Sequence, residues 1–343
     1  MNALRAMALA GGLSVPSARF RIRQYIPALQ TYDILVDEPL SRTGKYPPRA
    51  VLARPFWAAA AVLEKACQVI NTRGYDVVLL QRELISKLVT FERRIRVPVV
   101  LDVDDAIYLF RKGYVARQLA NIAAVVVCGN AELATHFSRW NTSIRVIPTA
   151  VDTDAYRPRE EVQAAAPFPP VTIGWIGTSS NLHELRAIEP ALVHVLERIP
   201  EVRLRVVSDC RPTFSTLSAA RVEYVPWRAA NEVTDIQGMD IGIMPLRDSA
   251  WARGKCSFKM LQYMACGLPV VVSPVGMNVE VARLGNCALE AISCEDWKEA
   301  LIALARDAAL RWEMGRAGRA VVERHFSVAV LAPRLAEAIR SAL

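Results

Sequence analysis

At 343 residues, the chain is long enough for two α/β domains of ordinary size, and its 52% of hydrophobic residues against 22% of charged residues excludes a disordered protein. The net charge of +8 is concentrated in residues 1–165, which hold 22 basic and 15 acidic side chains. Seven scattered cysteines without metal-ligand spacing exclude a zinc ribbon and predict reduced thiols in a cytoplasmic protein, and no apolar run has the length of a membrane span.

Short β-rich runs alternate with helical patterns through the first half of the chain. Parallel strands need long crossover connections, which are usually helices, so this alternation predicts a parallel sheet with helices on both faces. The predicted strands are residues 3–10, 33–36, 77–81, 99–102, 124–128 and 144–147, and the predicted helices are residues 18–30, 55–72, 84–95 and 130–139.

The pattern restarts in the second half. A stretch rich in Pro and Ala, residues 164–170, is typical of a linker because its prolines forbid regular structure. The alternation that follows predicts a second Rossmann-like domain. Its predicted strands are residues 171–176, 203–207, 222–225, 241–244 and 269–273, and its predicted helices are residues 182–198, 257–266, 278–284, 295–306, 308–325 and 328–342.

Two loops that follow predicted strands have residues suited to an anionic ligand. Ligands of open parallel sheets bind beyond the carboxyl ends of the strands. Gly12 lets the backbone approach a phosphate or a sugar closely, although a tight turn explains it equally well. The second loop has the conformational freedom of Gly177 and the hydroxyls of Thr178 and Ser179 at a helix start, and this combination suits a diphosphate. Helix capping alone explains these residues equally well.

The most specific segment of the sequence runs from residue 251 to residue 272. A turn at Gly254 and Lys255 opens a helix on which Lys259, Gln262 and Tyr263 share one face. Two cations and the free N–H groups of a helix start, among them those of Ser257 and Phe258, would attract a phosphate.

The end of this segment resembles the donor-binding region of family 4 glycosyltransferases. That family has two acidic residues eight positions apart, the second followed by Ala-Met-Ala-x-Gly-x-Pro-Val-Val. Residues 262–271 match the second part, but Gly254 and Gln262 stand where the acids are expected. The departure is similar to a bacterial branch with Gly-Lys-x-x-Phe-Lys at this point. The Gln262 amide could still bond ribose hydroxyls.

The resemblance extends over nearly the whole chain and implies an α/β fold of the GT-B type. In this fold two Rossmann-like domains face each other across a cleft, and a C-terminal helix returns to the N-terminal domain. The implied organisation is an acceptor domain of residues 1–160, a nucleotide-sugar donor domain of residues 161–327, and the returning helix at residues 328–343.

The resemblance also implies roles for individual residues. Pro226 and Trp227 stand where the family holds the nucleotide base, and Lys255 with Lys259 would replace an absent cationic pair at the diphosphate. The predicted donor-binding residues are Gly12, Gly177, Thr178, Ser179, Pro226, Trp227, Gly254, Ser257, Phe258 and Gln262, and the predicted catalytic residues are Asp104, Asp105, Lys255 and Lys259.

Acceptor residues are predicted in the first half. Vicinal carboxylates at Asp104 and Asp105 could bind a metal or a sugar hydroxyl, assist proton transfer, or only cap a helix; the nearby Tyr108 favours an acceptor sugar. Arg19 and Arg23 share a face of the predicted helix 18–30 and could bind an acidic acceptor. A solvated basic helix accounts for them equally well.

The resemblance implies a retaining glycosyltransferase that uses no metal and no cofactor. Its expected partners are a nucleotide-sugar donor and a glycan or lipid-linked acceptor of cell-envelope polysaccharide biosynthesis. The basic first half could bind nucleic acid, an anionic membrane surface or a phosphorylated substrate, and a solvated basic face explains it equally well. The expected location is the cytoplasm, where the protein could be peripheral on the inner face of the cell membrane. The alternative is a GT-B-like protein that binds nucleotide-sugar without turnover. A nucleic-acid partner is not expected, because the basic residues are not interleaved with aromatic ones in a recognised module.

Overall fold

The computed structural model describes residues 3–12, 15–43, 47–48, 50–159 and 170–343. The chain divides into two compact units. The first comprises Met1–Ala150, Arg253–Cys256 and Val328–Leu343, and the second comprises Val151–Ala252 and Ser257–Ser327. The predicted boundary between residues 160 and 161, like nearly all of the predicted linker 164–170, lies outside the described residues.

The first unit contains a parallel sheet of six strands, as predicted. The strand order is β2-β1-β3-β4-β5-β6, so the chain reverses its direction of winding at β1. The middle strands β3, β4 and β5 are buried along their whole length, as expected when helices cover both faces. The strands are β1 Leu4–Leu9, β2 Ile34–Asp37, β3 Val77–Gln81, β4 Val99–Val103, β5 Val125–Cys128 and β6 Ile144–Val146.

The helices of the first unit differ from the prediction in three places, one of which is an α-helix at Tyr114–Ile122 that was not predicted. The predicted helix 18–30 begins as a π-helix at Ala18–Ile22, passes through a 3₁₀ turn and ends as an α-helix. The predicted helix 84–95 is wrong. The Glu92 carboxylate there accepts hydrogen bonds from the backbone N–H groups of Leu84 and Thr90, and these bonds hold the segment as a loop. The α-helices are α1 Ile26–Gln30, α2 Arg54–Asn71, α3 Tyr114–Ile122 and α4 Ala131–Phe137.

The second unit contains another parallel sheet of six strands, in the order β12-β11-β10-β7-β8-β9. The edge strand β12 was not predicted, since it has only three residues. The strands are β7 Val171–Ile176, β8 Val202–Ser208, β9 Val222–Pro226, β10 Ile241–Met244, β11 Val270–Val272 and β12 Ala288–Glu290.

Eight helices, counted within the described residues, run from the end of β7 to His325. The predicted helix 182–198 is divided in two at Ile188, because Pro190 lies in the first turn of the second piece and cannot continue a helix through its own position. The helices are α5 Leu182–Ala187, α6 Glu189–Arg198, α7 Glu232–Gln237, α8 Ala250–Arg253, α9 Phe258–Ala265, α10 Met277–Ala282, α11 Cys294–Arg306 and α12 Ala308–His325.

The last helix, α13 at Val328–Arg340, belongs to the first unit, as the resemblance implies. Its buried residues Leu331, Leu335 and Ile339 recur every four positions and join a core cluster that includes Ile22 and Leu29. Burying side chains of this size stabilises a fold by roughly 1.5–3 kcal/mol each. The C-terminal helix is therefore part of the hydrophobic core of the first unit.

Candidate functional site

The ammonium group of Lys259 lies at the carboxyl end of β7 in the second unit. Its Nζ is 4.6 Å from the centre of the Trp175 ring, which is buried in β7. A Cβ added to Gly177 would lie 2.7 Å from Nζ and 2.6 Å from the Trp175 ring. Only glycine fits at this position, and it allows the first turn of α9 to bring its cation against the loop that follows β7. An ammonium and a glycine-containing loop at this sheet edge form a candidate anion site.

The loop after β7 is not open in the way the sequence suggests. Ser179 donates hydrogen bonds to Asp209 from its backbone N–H at 2.5 Å and from its hydroxyl at 2.9 Å. Although partial burial raises the pKa of Asp209, the bonds from Ser179 outweigh that effect and lower it. The Thr178 hydroxyl contacts Ser180 and accepts a hydrogen bond from Asn181. The Asp209 carboxylate therefore occupies the N–H and hydroxyl groups of Ser179, which the sequence predicted to donate hydrogen bonds to a phosphate.

Gln262 belongs to a buried polar network. Its Nε2 donates hydrogen bonds to the Glu232 carboxylate at 2.7 Å and to the Tyr156 hydroxyl at 3.1 Å. Tyr156 also donates to Glu232. The indole N–H of Trp227 donates to the other oxygen of Glu232 at 2.9 Å, which fixes the ring next to the exposed Pro226 at the end of β9. Glu232 is thus a central residue of the site that the sequence did not single out.

The start of α9 is under backbone strain. Ser257 immediately precedes the helix with a φ of 50°, a left-handed conformation that costs roughly 1–2 kcal/mol for a residue other than glycine. Its buried hydroxyl bonds the Asn278 side chain at 2.6 Å, and Asn278 in turn donates to the Ser273 carbonyl. These bonds hold the residue that orients the first turn of α9, where the partly buried Phe258 begins the helix.

Gly254 and Lys255 belong to the first unit rather than to the second. The Asn130 side chain, which also caps α4, donates to the Lys255 carbonyl at 2.9 Å. A Cβ on Gly254 would lie 2.6 Å from the Cβ of Ala106. The structure therefore places Lys255 in the first unit and Lys259 in the second.

The vicinal carboxylates lie at the carboxyl end of β4 in the first unit. Gln81 donates from its side-chain amide to Asp104 at 3.2 Å, and Arg82 donates to Asp105 at 2.7 Å. The Gln81 side-chain oxygen is buried and has no hydrogen-bond partner. Arg82 has a φ of 60°, so the chain turns sharply as it leaves β3. These four side chains form a polar cluster that can bind hydroxyl groups.

The most deeply buried ion pair of the first unit involves Arg21, which the sequence did not single out. Its guanidinium binds both oxygens of Asp102, at 2.5–3.1 Å, and donates to the Ile147 carbonyl at 2.8 Å. Although burial alone would lower the pKa of Arg21, the Asp102 carboxylate raises it, and the guanidinium stays charged. The pair connects the first helical segment to β4.

The other predicted acceptor residues are dispersed. Tyr108 is buried and stacks on His136, with ring centres 3.6 Å apart. Arg23 is paired with Glu38 at 2.6 Å, and the guanidinium of Arg19 lies over the neighbouring Phe20 ring.

Gly12 lies in the loop that follows β1 and has a φ of 100°, a backbone conformation that favours glycine.

Part of the chain is similar to known glycosyltransferases. Residues 170–307 match the family model described as glycosyl transferases group 1. The chain is similar to a D-inositol 3-phosphate glycosyltransferase of Arthrobacter sp. (strain FB24), with 28% identity over 219 residues, or 59% of this chain and 50% of the relative. The chain thus spans about half the length of the curated relatives it matches.

Solved structures share the fold over the whole chain. Sucrose-phosphate synthase from Thermosynechococcus elongatus matches with a TM-score of 0.73 and 16% identity, covering 98% of both chains. The HepE protein of Anabaena, solved with UDP-glucose, matches with a TM-score of 0.67 and 16% identity over 98% of this chain and 100% of that one. Residues 170–307 are therefore similar to group 1 glycosyltransferases, and the chain shares the GT-B fold of these structures.

Proposed function

We propose that this protein transfers a sugar from a nucleotide-sugar donor, bound by the second unit, to a glycan or lipid-linked acceptor. The observation that carries the proposal is the Lys259 ammonium at the carboxyl end of β7, held against Gly177 and the Trp175 ring. A fixed cation at that edge binds the diphosphate and stabilises the charge that develops as the diphosphate leaves. Electrostatic help of this kind is usually the largest single contribution to catalysis.

The nucleotide would extend from Lys259 toward the end of β9. Trp227 has a ring orientation fixed by Glu232 and offers an aromatic surface for the base, with Pro226 beside it. Gln262 lies in the same network and would meet the ribose. The Anabaena relative was solved with UDP-glucose, which makes UDP-sugars the first donors to test.

The acceptor would bind the first unit. Asp104 and Asp105 can accept hydrogen bonds from sugar hydroxyls, and one of them can take up the proton that the attacking hydroxyl loses. Arg82 and Gln81 hold the two carboxylates in place. Arg19, Arg23 and Tyr108 remain proposed acceptor contacts.

Retention of configuration, independence of metal ions and a role in cell-envelope polysaccharide assembly complete the proposal, on the strength of the family resemblance. None of the helices in the described part of the chain has the length and hydrophobicity of a transmembrane helix. Access to a lipid-linked acceptor would then come from binding at a membrane surface.

A protein that binds nucleotide-sugar without turnover is the alternative. It is favoured by one observation, the presence of Gly254 and Gln262 at the positions where the family has acids.

Turnover measurements decide between the two. UDP-, GDP- and dTDP-sugars that raise the melting temperature identify the donor, because a ligand of the folded state stabilises it by mass action. Release of nucleoside diphosphate and transfer of labelled sugar to lipid-linked glycans are then measured with and without EDTA. Transfer that persists in EDTA supports the proposal. Donor binding without release or transfer, at any metal concentration, overturns it in favour of the alternative.

A further inference from the structure

Helix α2 of the first unit has its polar and apolar faces reversed relative to an ordinary surface helix. Leu52, in the 3₁₀ turn that opens it, is 89% exposed and Phe56 is 79% exposed, whereas Lys65 is only 2% exposed. A soluble helix normally turns its apolar stripe toward the core and its lysines toward water. The reversal means that the outward face of α2 is suited to an apolar environment.

The exposed apolar residues form one continuous stripe. Leu52, Phe56, Ala59, Leu63 and Ile70 follow one another at intervals of four, three, four and seven residues, and all five are exposed. This spacing keeps side chains on a single face over about five helical turns. Scattered exposed leucines are normal on protein surfaces, but a continuous apolar stripe of this length marks an interaction site.

The inward face accounts for the polar residues of the helix. Lys65 donates hydrogen bonds to Gln68 at 3.0 Å and to Glu64 at 3.4 Å. Burial by the surrounding protein lowers the pKa of Lys65, although the negative charge of Glu64 acts in the opposite direction. Glu64 also accepts a hydrogen bond from the backbone N–H of Thr43, and the Trp57 indole donates to the Thr43 carbonyl. The polar side chains therefore anchor α2 to its own unit and leave the stripe outside.

The charge of the surrounding sequence identifies the partner of the stripe. Between residues 42 and 73 the chain has six basic residues and a single acid, Glu64, which the bonds above engage. Arg42, Arg54 and Arg73 are exposed. A second copy of this chain would bring like charges together, whereas an anionic lipid surface would attract them. An apolar stripe in a segment of net positive charge is typical of a helix that lies in a membrane interface.

We propose that α2 and its opening turn Val51–Ala53 lie in the surface of an anionic lipid bilayer, with the apolar stripe among the acyl chains and the arginines on the lipid phosphates. This deepens the membrane part of the proposed function by naming the surface that binds. It makes no use of the donor site, so the two proposals can fail separately.

Vesicle flotation of the full chain tests the proposal. The wild type is expected to float with vesicles of phosphatidylcholine and phosphatidylglycerol, much less with phosphatidylcholine alone, and less at high salt because anionic lipid contacts are screened. The triple variant Leu52→Gln/Phe56→Gln/Leu63→Gln is expected to bind the anionic vesicles at least tenfold more weakly. Because these side chains are exposed, the variant should keep the wild-type melting temperature.

Two controls isolate the stripe. Ile292→Gln removes an equally exposed side chain, at 82%, from the second unit and should leave flotation unchanged. Arg54→Gln/Arg73→Gln should flatten the salt dependence of binding. Donor affinity of the triple variant, measured by calorimetry with the UDP-sugar, should equal that of the wild type.

Three results would overturn the inference. They are equal flotation of the triple variant and the wild type, failure of the wild type to float with anionic vesicles, and a wild-type dimer that the triple variant dissociates in light scattering. The last result would assign the stripe to a second copy of the chain. Absence of donor binding and turnover in the wild type, with the flotation difference between wild type and triple variant intact, would count against the proposed function alone.

Discussion

The side-chain amide of Gln262 donates a 2.7 Å hydrogen bond to the carboxylate of Glu232, and both residues are buried. Glu232 accepts further hydrogen bonds from Tyr156 and Trp227. A carboxylate at position 262 would face that of Glu232 at the same short distance, and the Tyr156 hydroxyl has only one proton to donate to the two of them. The network therefore gives a physical reason for glutamine at a position where the resemblance predicts an acid.

Gln262→Glu should destabilise the protein at neutral pH by about 2–3 kcal/mol, since it replaces a buried hydrogen bond by two facing carboxylates. The new carboxyl should have a pKa raised above its unfolded value. A raised carboxyl pKa costs stability at high pH, and the cost disappears as the pH falls below the unfolded pKa. The difference in the free energy of unfolding between wild type and variant should thus shrink from pH 8 to pH 5, as measured by urea denaturation.

Gln118→Glu is the matched control for that experiment. The Gln118 side chain accepts a hydrogen bond from Arg93, so a carboxylate at this position would face a positive charge and should not destabilise the protein. The exchange Glu232→Gln/Gln262→Glu restores one amide and one carboxylate and should recover most of the lost stability. An exchange variant no more stable than Gln262→Glu alone would show that the facing carboxylates are not the cause.

Lys259→Ala should weaken the binding of both nucleotide-sugar and free nucleoside diphosphate by about tenfold or more, or roughly 1.4 kcal/mol. The reason is that the ammonium contacts the diphosphate, which both ligands share. Lys298→Ala, which removes a lysine paired with Glu295 on α11, should leave both affinities unchanged. Calorimetry in which Lys259→Ala binds both ligands like the wild type would remove Lys259 from the donor site.

Asp209→Asn should tighten the binding of nucleoside diphosphate by about threefold to tenfold. The Asp209 carboxylate accepts from Ser179 in the loop after β7, and removing its charge lessens the repulsion of an incoming phosphate. The gain should be smaller at high salt. Glu197→Gln, at an exposed position of α6, serves as the control. If Asp209→Asn instead binds the nucleoside diphosphate more weakly, Asp209 orients the loop for the ligand.

The sequence predicted the architecture well because burial leaves a local signal. Continuous apolar runs predicted eleven of the twelve strands in the part of the chain that the structure describes, and the four-residue spacing of α13 agrees with its place in the first core. Gly177 and Lys259 could be selected as candidates because each lies next to a strand end or a helix start, and their role in donor binding stays a prediction. The edge strand β12 was missed because three residues give no periodic pattern.

The partners of the site residues could not be predicted in the same way. Arg21 and Asp102 are 81 positions apart, and Glu232 and Gln262 are 30 positions apart. No local pattern connects such pairs before the fold is known. Asp209 is different, because it follows a strand directly, and the rule that ligands bind beyond strand ends could have selected it.

Arg21→Met should destabilise the protein by about 3–5 kcal/mol, because it leaves the Asp102 carboxylate buried without its partner. Arg21→Met/Asp102→Leu removes the charge as well and should recover a large part of that loss. Thermal and urea denaturation measure both. A double variant that is less stable than Arg21→Met would indicate that the pair does more than compensate its own charges.

Arg82→Gly should raise the acceptor KM about tenfold while leaving donor affinity and stability nearly unchanged. The guanidinium of Arg82 holds Asp105 at 2.7 Å, so its loss lets the proposed acceptor carboxylate move. Glycine also relaxes the backbone, which has a φ of 60° there, and this gain offsets the lost ion pair. Lys87→Gly relaxes a similar φ of 62° in the same unit and leaves the Arg82–Asp105 bond in place. Steady-state kinetics with both variants separate the two effects: if Lys87→Gly raises the acceptor KM as much as Arg82→Gly, loop flexibility and not the position of Asp105 controls acceptor binding.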